Sequence, residues 1–338
     1  MTDRAPIGDF AVRVVVAIAL VALAALVWRL HDVALLLFAA ILVSVVLHAA
    51  ADGVRRIVPV PAGAAVPIAG ILIVGVLAGA GTLFGHEIGQ QLSGLGDALP
   101  GAWRRFTAWV GEERVEALVE GVSPDGSTIA SMAQSALGTI SGSLTGFILA
   151  VLGGVYLAAD PGKYRRGALR MLPRRAQAPA GEAMTATGEA LRNWLFGQLI
   201  SMAATFLAVF AGLSFVGVPS ALALAIVAGL LEFIPLVGPF LGAIPALLIA
   251  LLGGVEMFLW TAGFFVLWQQ IEGNALAPLV MRYAVSIPPA VTLFSLFMFG
   301  GVFGIMGVIL GGPLTVATWV MVKRLWVDRR EHAETTAS

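Results

Sequence analysis

The 338 residues include no cysteine, which excludes disulfides, thiolate nucleophiles and cysteine metal sites. Charge is also scarce: Asp, Glu, Lys and Arg together make up 12% of the chain against 59% apolar residues, where a soluble domain carries about 25% charged residues. With a mean hydropathy of +0.94, the composition is that of a polytopic membrane protein. Ten-residue segments of alternating apolar and polar residues are missing too, which argues against an outer-membrane barrel. A helical crossing takes about 20 apolar residues, and the apolar runs recur along most of the chain. The expected fold is all-α, with about eight transmembrane helices. No zinc-protease helix motif, Walker sequence or nucleophile elbow occurs, so neither an enzyme nor a cofactor is expected. His31, His48, His86 and His332 are too scattered to suggest a metal site.

The first run, Val14 to Trp28, follows Arg13 like a signal peptide, but further spans follow at once and a retained helix is expected. A second run goes from Val33 to Ala51. A third, Ala62 to Phe84, carries Gly75 and Gly79 at a spacing that lets another helix approach closely. Residues 85–140 are acidic with helical periodicity and read as an extracytoplasmic helical insertion, with a turn at 123–127. The glycines of "GAGTLFG" (79–85) end a span and suit helix packing better than nucleotide binding. Residues 141–192 supply a fourth span, Gly142 to Ala159, and a basic loop with Lys163, Arg165, Arg166, Arg170, Arg174, Arg175 and Arg192. By the positive-inside rule that loop is cytoplasmic and the acidic segment lies outside. Contact of residues 163–175 with anionic head groups is a weaker reading than their role in setting topology. Residues 1–84 then hold three spans with the N-terminus inside, 193–322 form a transmembrane core, and 323–338 form a cytoplasmic tail.

Within 193–322 the helical pattern breaks down. Leu195 to Val216 is an ordinary span, but 219–253 is too long for one crossing and holds Glu232, Pro235, Pro239 and Pro245 in "LEFIPLVGPFLGAIPALL" (231–248). After a run from Val255 to Ile271 comes "EGNALAPLVMRYAVSIPP" (272–289), and the last run, Ala290 to Val322, is dense in glycine. Proline frees backbone groups, and in hydrocarbon these are tolerated only inside protein or beside a wet cavity. A central acidic side chain adds about 2.5–3.5 kcal/mol on insertion scales. A lone proline is as readily a harmless kink, whereas the grouping points to broken helices around a site, unwound at 232–239 and 272–278 and facing a hydrated passage. Glu232, Glu272 and Asn274 are the candidate polar cluster, with Arg282 the nearest basic residue in sequence. Glu256 reads as an ordinary loop acid.

Three blocks carry a family likeness: "GVPSALALAIVAGLLEFIPLVGPFLGAIPAL" (217–247), "QIEGNALAPLVMRYAVSIPP" (270–289) and "FGIMGVILGGP" (303–313). With "ADPGKYRRGALRMLPRR" (159–175) and "GQLISM" (197–202), the chain resembles the autoinducer-2 exporter family of bacterial permease-like inner-membrane proteins. The resemblance implies cytoplasmic termini, about eight spans, an extracytoplasmic insertion after the third, and a homo-oligomer. It marks Glu232, Pro235, Gly238 and Pro239 in the first block, and Gln270, Glu272, Gly273, Asn274 and Pro278 in the second, as substrate- or ion-binding positions. Family members often have Asp at Glu232, which keeps the carboxylate, and His at Ile287, which here removes a titratable group.

The expected activity is gradient-driven export of a small polar metabolite or signal such as autoinducer-2 by alternating access. One alternative is sodium–proton antiport; another is a membrane scaffold whose outer helices recruit envelope partners without transport. The expected partners are the bilayer and a small polar solute or cation, not nucleic acid.

Overall fold

The computed structural model describes residues 30–111, 145–276, 278 and 287–327. The run Val14 to Trp28, the turn at 123–127, most of the acidic insertion, and Arg282 lie outside them. The described residues are helical and include no strand, in keeping with an all-α, polytopic membrane protein. The helices are α1 (His31–Ile57), α2 (Ala62–Val110), α3 (Thr145–Ala159), α4 (Pro161–Arg170), α5 (Arg174–Val216), α6 (Ala221–Leu231), α7 (Gly238–Leu252), α8 (Val255–Ile271), α9 (Pro289–Ile309) and α10 (Gly311–Val322). Among them α1 and α5 are long and apolar enough to cross a membrane, α9 has the length and composition but is broken at Gly304, and α3 with α4 adds another if that bent pair is one span.

The exterior is apolar: Phe215 is 93% exposed, and Phe294 and Phe297 are each 73% exposed. Such a surface suits lipid rather than water. The interior is built largely from small residues, with Ala65, Ala69, Ala223, Ala225, Ala246 and Ala250 essentially sealed. Without a hydrophobic drive between helices in lipid, close backbone approach and van der Waals packing hold them together. The sharpest approach of α3 to α1 is at Gly154, where a methyl group would come within 2.9 Å of the Ala40 carbonyl. Among the described residues nothing lies within 4 Å of a Cβ at Gly75 or Gly79, so no described helix approaches closely there.

Two segments differ in form from the sequence reading. α2 runs unbroken for 49 residues, about 74 Å at 1.5 Å per residue, with no interruption near residue 85. Its second half lies across the first core hairpin: Gln91 Oε1 accepts the Ala223 N–H at 3.2 Å, and Arg105 Nη1 donates to the Leu252 carbonyl at 3.2 Å. These contacts satisfy an orphan donor at the start of α6 and an orphan acceptor at the end of α7. The basic stretch after residue 160 is helical rather than a loop, forming α4 and the first half of α5.

The core is made of two helical hairpins. α5 ends in a left-handed Gly217 (φ 82°), with the Gly217 and Val218 N–H groups both donating to the Leu213 carbonyl, a glycine stop that reverses the chain. α6 then runs back along α5, with Gly229 against Phe206 and Met202. α7 returns along α6: Gly238 abuts Leu231, and a methyl on Gly242 would lie 2.9 Å from Ala228 Cα. The pairing order is antiparallel. At 11 and 15 residues, the arms are about 16 and 22 Å long, short of the roughly 30 Å core, so 219–253 forms a hairpin and not a kinked crossing. In α9 the chain breaks at Gly304 (φ 62°, ψ −147°). Gly300 then faces Val308, and Gly311 faces Leu296, so the glycine-rich run also folds back on itself.

The hairpins approach from opposite directions. α6 descends from the Gly217 end of α5 to its middle. α10 starts at that middle, with Gly312 against Trp194, and its Val316 and Val320 pack in one cluster with Leu191, Ala190 and Ala186. Both tips therefore meet near Trp194–Thr205. Gly238→Ala is expected to lower stability by about 1–3 kcal/mol, as overpacking does. Gly75→Ala, with open space around it, is expected to leave the melting temperature of the purified protein within about a degree or raise it slightly.

Candidate acidic site at the hairpin tip

The tip of the first hairpin, residues 232–237, is non-helical. Leu236 sits at φ 69°, a left-handed conformation that costs a non-glycine residue of order 1 kcal/mol or more. Gly238 is required where α7 begins, because a side chain there would collide with the Leu231 carbonyl. Pro239 occupies the first turn of α7, where a missing N–H leaves no helical bond unmade. Pro235 packs its Cδ 3.3 Å from a Cβ position on Gly312 and so links the two hairpins. Pro245, expected to contribute to the break, lies inside α7 without ending it; it is the harmless kind of membrane-helix proline.

Glu232 is buried at 3% exposure. Its N–H donates to Ala228 at 3.0 Å, and its carbonyl, freed by the end of α6, accepts from Gln198 Nε2 of α5. The side-chain Oε2 accepts from Thr205 Oγ1 of α5 at 3.4 Å. The Glu272 carboxyl is its hydrogen-bonding neighbour, and Glu272 in turn accepts from Gln269 Nε2 at 3.4 Å. Two neighbouring carboxyl groups form a site that could share a proton or a cation. The expectation that Glu232 and Glu272 belong together thus agrees with the geometry.

The rest of the second block differs. Residues 272–276 form a π-helical turn continuing α8 rather than the unwound segment expected over 272–278, since the wider turn keeps backbone groups paired while rotating the side chains. Gln270, Gly273, Asn274 and Pro278 are exposed. Asn274 Nδ2 donates to the Gln270 carbonyl at 2.9 Å and to its Oε1 at 3.1 Å, so these two stabilise the turn and do not join the carboxyl pair. Ile287 packs half-buried beside the cluster of Leu42, Leu191 and Val316, an apolar role. Glu256 lies exposed in the first turn of α8, favourably placed against the helix dipole.

Gln198, Thr205 and Gln269 are absent from the sequence expectation. Gln198 and Thr205 are seven residues apart, so they share one face of α5 with Leu191, Leu195 and Val209; polar residues in that buried stripe were the available signal. On α8, Thr261, Phe265, Trp268 and Glu272 follow the same spacing, and the stripe ends at the carboxyl. Beside the tips lies a cavity of about 1850 Å³ walled by α1, α2 and α3 together with Leu195, Phe233, Phe303 and Leu310. Phe233 lines it and Glu232 does not. Its walls are mostly apolar, with Asp32, His48, Asp52 and Arg55 among the lining side chains.

Opposed helical hairpins meeting at a buried acidic site, inside a bundle with a lipid-facing exterior, define a polytopic helical membrane protein of the permease kind. A profile of the AI-2E family transporter matches residues 16–326, and the chain belongs to that family. It is 36% identical over 146 residues to YrrI, a candidate transport protein of Bacillus subtilis (strain 168), covering 43% of this chain and 41% of YrrI. Similarity to YueF of the same organism, also a candidate transport protein, is 31% over 159 residues, or 47% of this chain and 43% of that one. The candidate permease PerM of Escherichia coli (strain K12) is 27% identical over 246 residues, covering 71% and 68%. The chain thus aligns with less than half the length of either Bacillus relative.

Replacing Gln198 by Leu is expected to leave the Glu232 carbonyl without its donor, at a local cost of about 1–3 kcal/mol. Hydrogen–deuterium exchange over residues 232–237 should then rise by tenfold or so, with a smaller rise in Thr205→Val.

Proposed function

We propose that this protein is a gradient-driven secondary transporter that exports a small polar solute, of which autoinducer-2 is the type suggested by the family, by alternating access. The observation that carries this reading is the buried Glu232 carboxyl at the tip of a short hairpin with the half-buried Glu272 carboxyl at the end of α8 beside it, flanked by the Thr205 hydroxyl and the Gln269 amide. Acidic sites at broken helices are how many secondary transporters couple an ion to their cargo. In this scheme a cation or proton bridges the two carboxyls, and its release lets the tip of the first hairpin separate from the end of α8. We place the protein in the bacterial inner membrane with both termini cytoplasmic, because the cations of α1, α4 and α5 collect at one end of the bundle. A homo-oligomer fits the family resemblance.

Sodium–proton antiport is a second reading, favoured by the oxygen-rich pair itself, which suits competing binding of a hard cation and a proton. Reconstituted flux with candidate solutes tests the first reading. Glu232→Gln is expected to weaken apparent affinity for the coupling ion by about tenfold or more, since hydrogen bonds to charged groups contribute about 1.5–3 kcal/mol. Everted vesicles with a pH dye separate the two: sodium-dependent alkalinisation that disappears in Glu232→Gln, without solute flux, selects the antiporter. Intact flux in both Glu232→Gln and Glu272→Gln would remove the acidic pair from the mechanism.

A further inference from the structure

The end of the bundle where α3 stops carries a surface that the transport reading does not use. α4 leaves α3 at 91°, so with α3 crossing the bilayer it runs along the membrane plane. The turn is written into the sequence: Asp160 accepts the Lys163 N–H at 2.9 Å as an N-cap, and Pro161 takes the first helical position. Residues 160–175 hold six cationic side chains against one carboxylate, Asp160, which is engaged in that cap.

One of the six holds the helix in place. Arg165 Nη2 donates to the Gly181 carbonyl of α5 at 2.8 Å, and Leu169 reaches the same glycine. At 3.6 residues per turn, anchoring Arg165 and Leu169 on α5 puts Lys163, Arg166 and Arg170 in a row on another face, with Tyr164 and Met171 as a second row beside it. All five are exposed, Met171 at 88%. Arg174 and Arg175 continue the cationic surface into α5. The Arg192–Asp52 ion pair, at 2.9 Å, brings the end of α1 with Arg55 and Arg56 to the same region. A cationic row beside an aromatic and a thioether side chain, on a helix at a right angle to a span, matches a leaflet surface: anionic phosphates against the row, the interfacial acyl boundary against the rest.

We propose that α4 and the turn after it form a docking surface for anionic phospholipid, with Lys163, Arg166 and Arg170 on the head-group phosphates and Tyr164 and Met171 inserted at the level of the ester groups. The contact fixes the lower ends of α3 and α5 relative to the bilayer.

Because the chain has no cysteine, Met171→Cys gives the full-length protein a single attachment point for an environment-sensitive fluorophore. Brominated phosphatidylglycerol diluted into phosphatidylcholine bilayers is expected to quench the label several-fold more than the same amount of brominated phosphatidylcholine. High salt is expected to bring the two lipids toward equal quenching, because the inserted side chains do not distinguish them and the charge contacts are screened. Combined Lys163→Gln, Arg166→Gln and Arg170→Gln substitution is expected to abolish it, each lost charge weakening the contact about fivefold. Lys163→Arg, which keeps the charge, is expected to retain it. Equal quenching by the two lipids overturns the proposal, and that comparison does not depend on the triple variant folding. A preference that survives the triple substitution, or equal protection of the label by soluble glycerol phosphate, overturns it as well.

Discussion

Everything in the core depends on what happens to backbone polar groups where a helix ends inside an apolar medium. Water cannot satisfy them there, and each orphan costs several kcal/mol. The chain meets this with side chains drawn from neighbouring helices: Gln198 for the Glu232 carbonyl at the tip, Gln91 and Arg105 for the open ends of α6 and α7. Short arms are therefore possible only because α5 and α2 run past them on either side. The broken hairpin is not an independent unit but a guest of two unusually long helices.

The second condition is proximity. Helices that turn back after eleven to fifteen residues need their backbones nearly in contact, and glycine and alanine at positions 228, 229, 238 and 242 allow it. The second hairpin repeats the device with Gly300, Gly307 and Gly311. The two solutions are equivalent in chemistry and opposite in direction, so their tips converge on one segment of α5. That convergence puts Glu232, Pro235 and Gly312 within one neighbourhood, although eighty residues separate the last from the first.

How much of this was readable in the letters varies with the range of the interaction. Local signals read well: Val255 to Ile271 coincides with α8, and the acid-and-proline grouping marks the break at 232–237. The composition alone gives the membrane class. Proline was less informative singly, since Pro235 lies in the break, Pro239 in a first turn, and Pro245 inside a helix, three environments that the residue type does not distinguish. The direction of each hairpin was hidden, because an out-and-back path and a kinked crossing share one hydropathy profile. So was the partition of the second block, where Glu272 joins the site while Gln270 and Asn274 bond to each other one turn away. Gln198 and Thr205 escaped notice because their significance depends on which face of α5 the tip of the first hairpin meets.

The uninterrupted course of α2 has a mechanical consequence. One rod of 49 residues is packed at its start against Ala51 of α1, through Ala65 and Ala69, and at its far end against α7 and α8, through Arg105 and Trp109. Over a lever of about 74 Å, a tilt of five degrees swings one end by about 6 Å, comparable to a full helical turn. Rocking of α1 would therefore be amplified into displacement at the base of the first hairpin, as a boom magnifies a small rotation at its pivot.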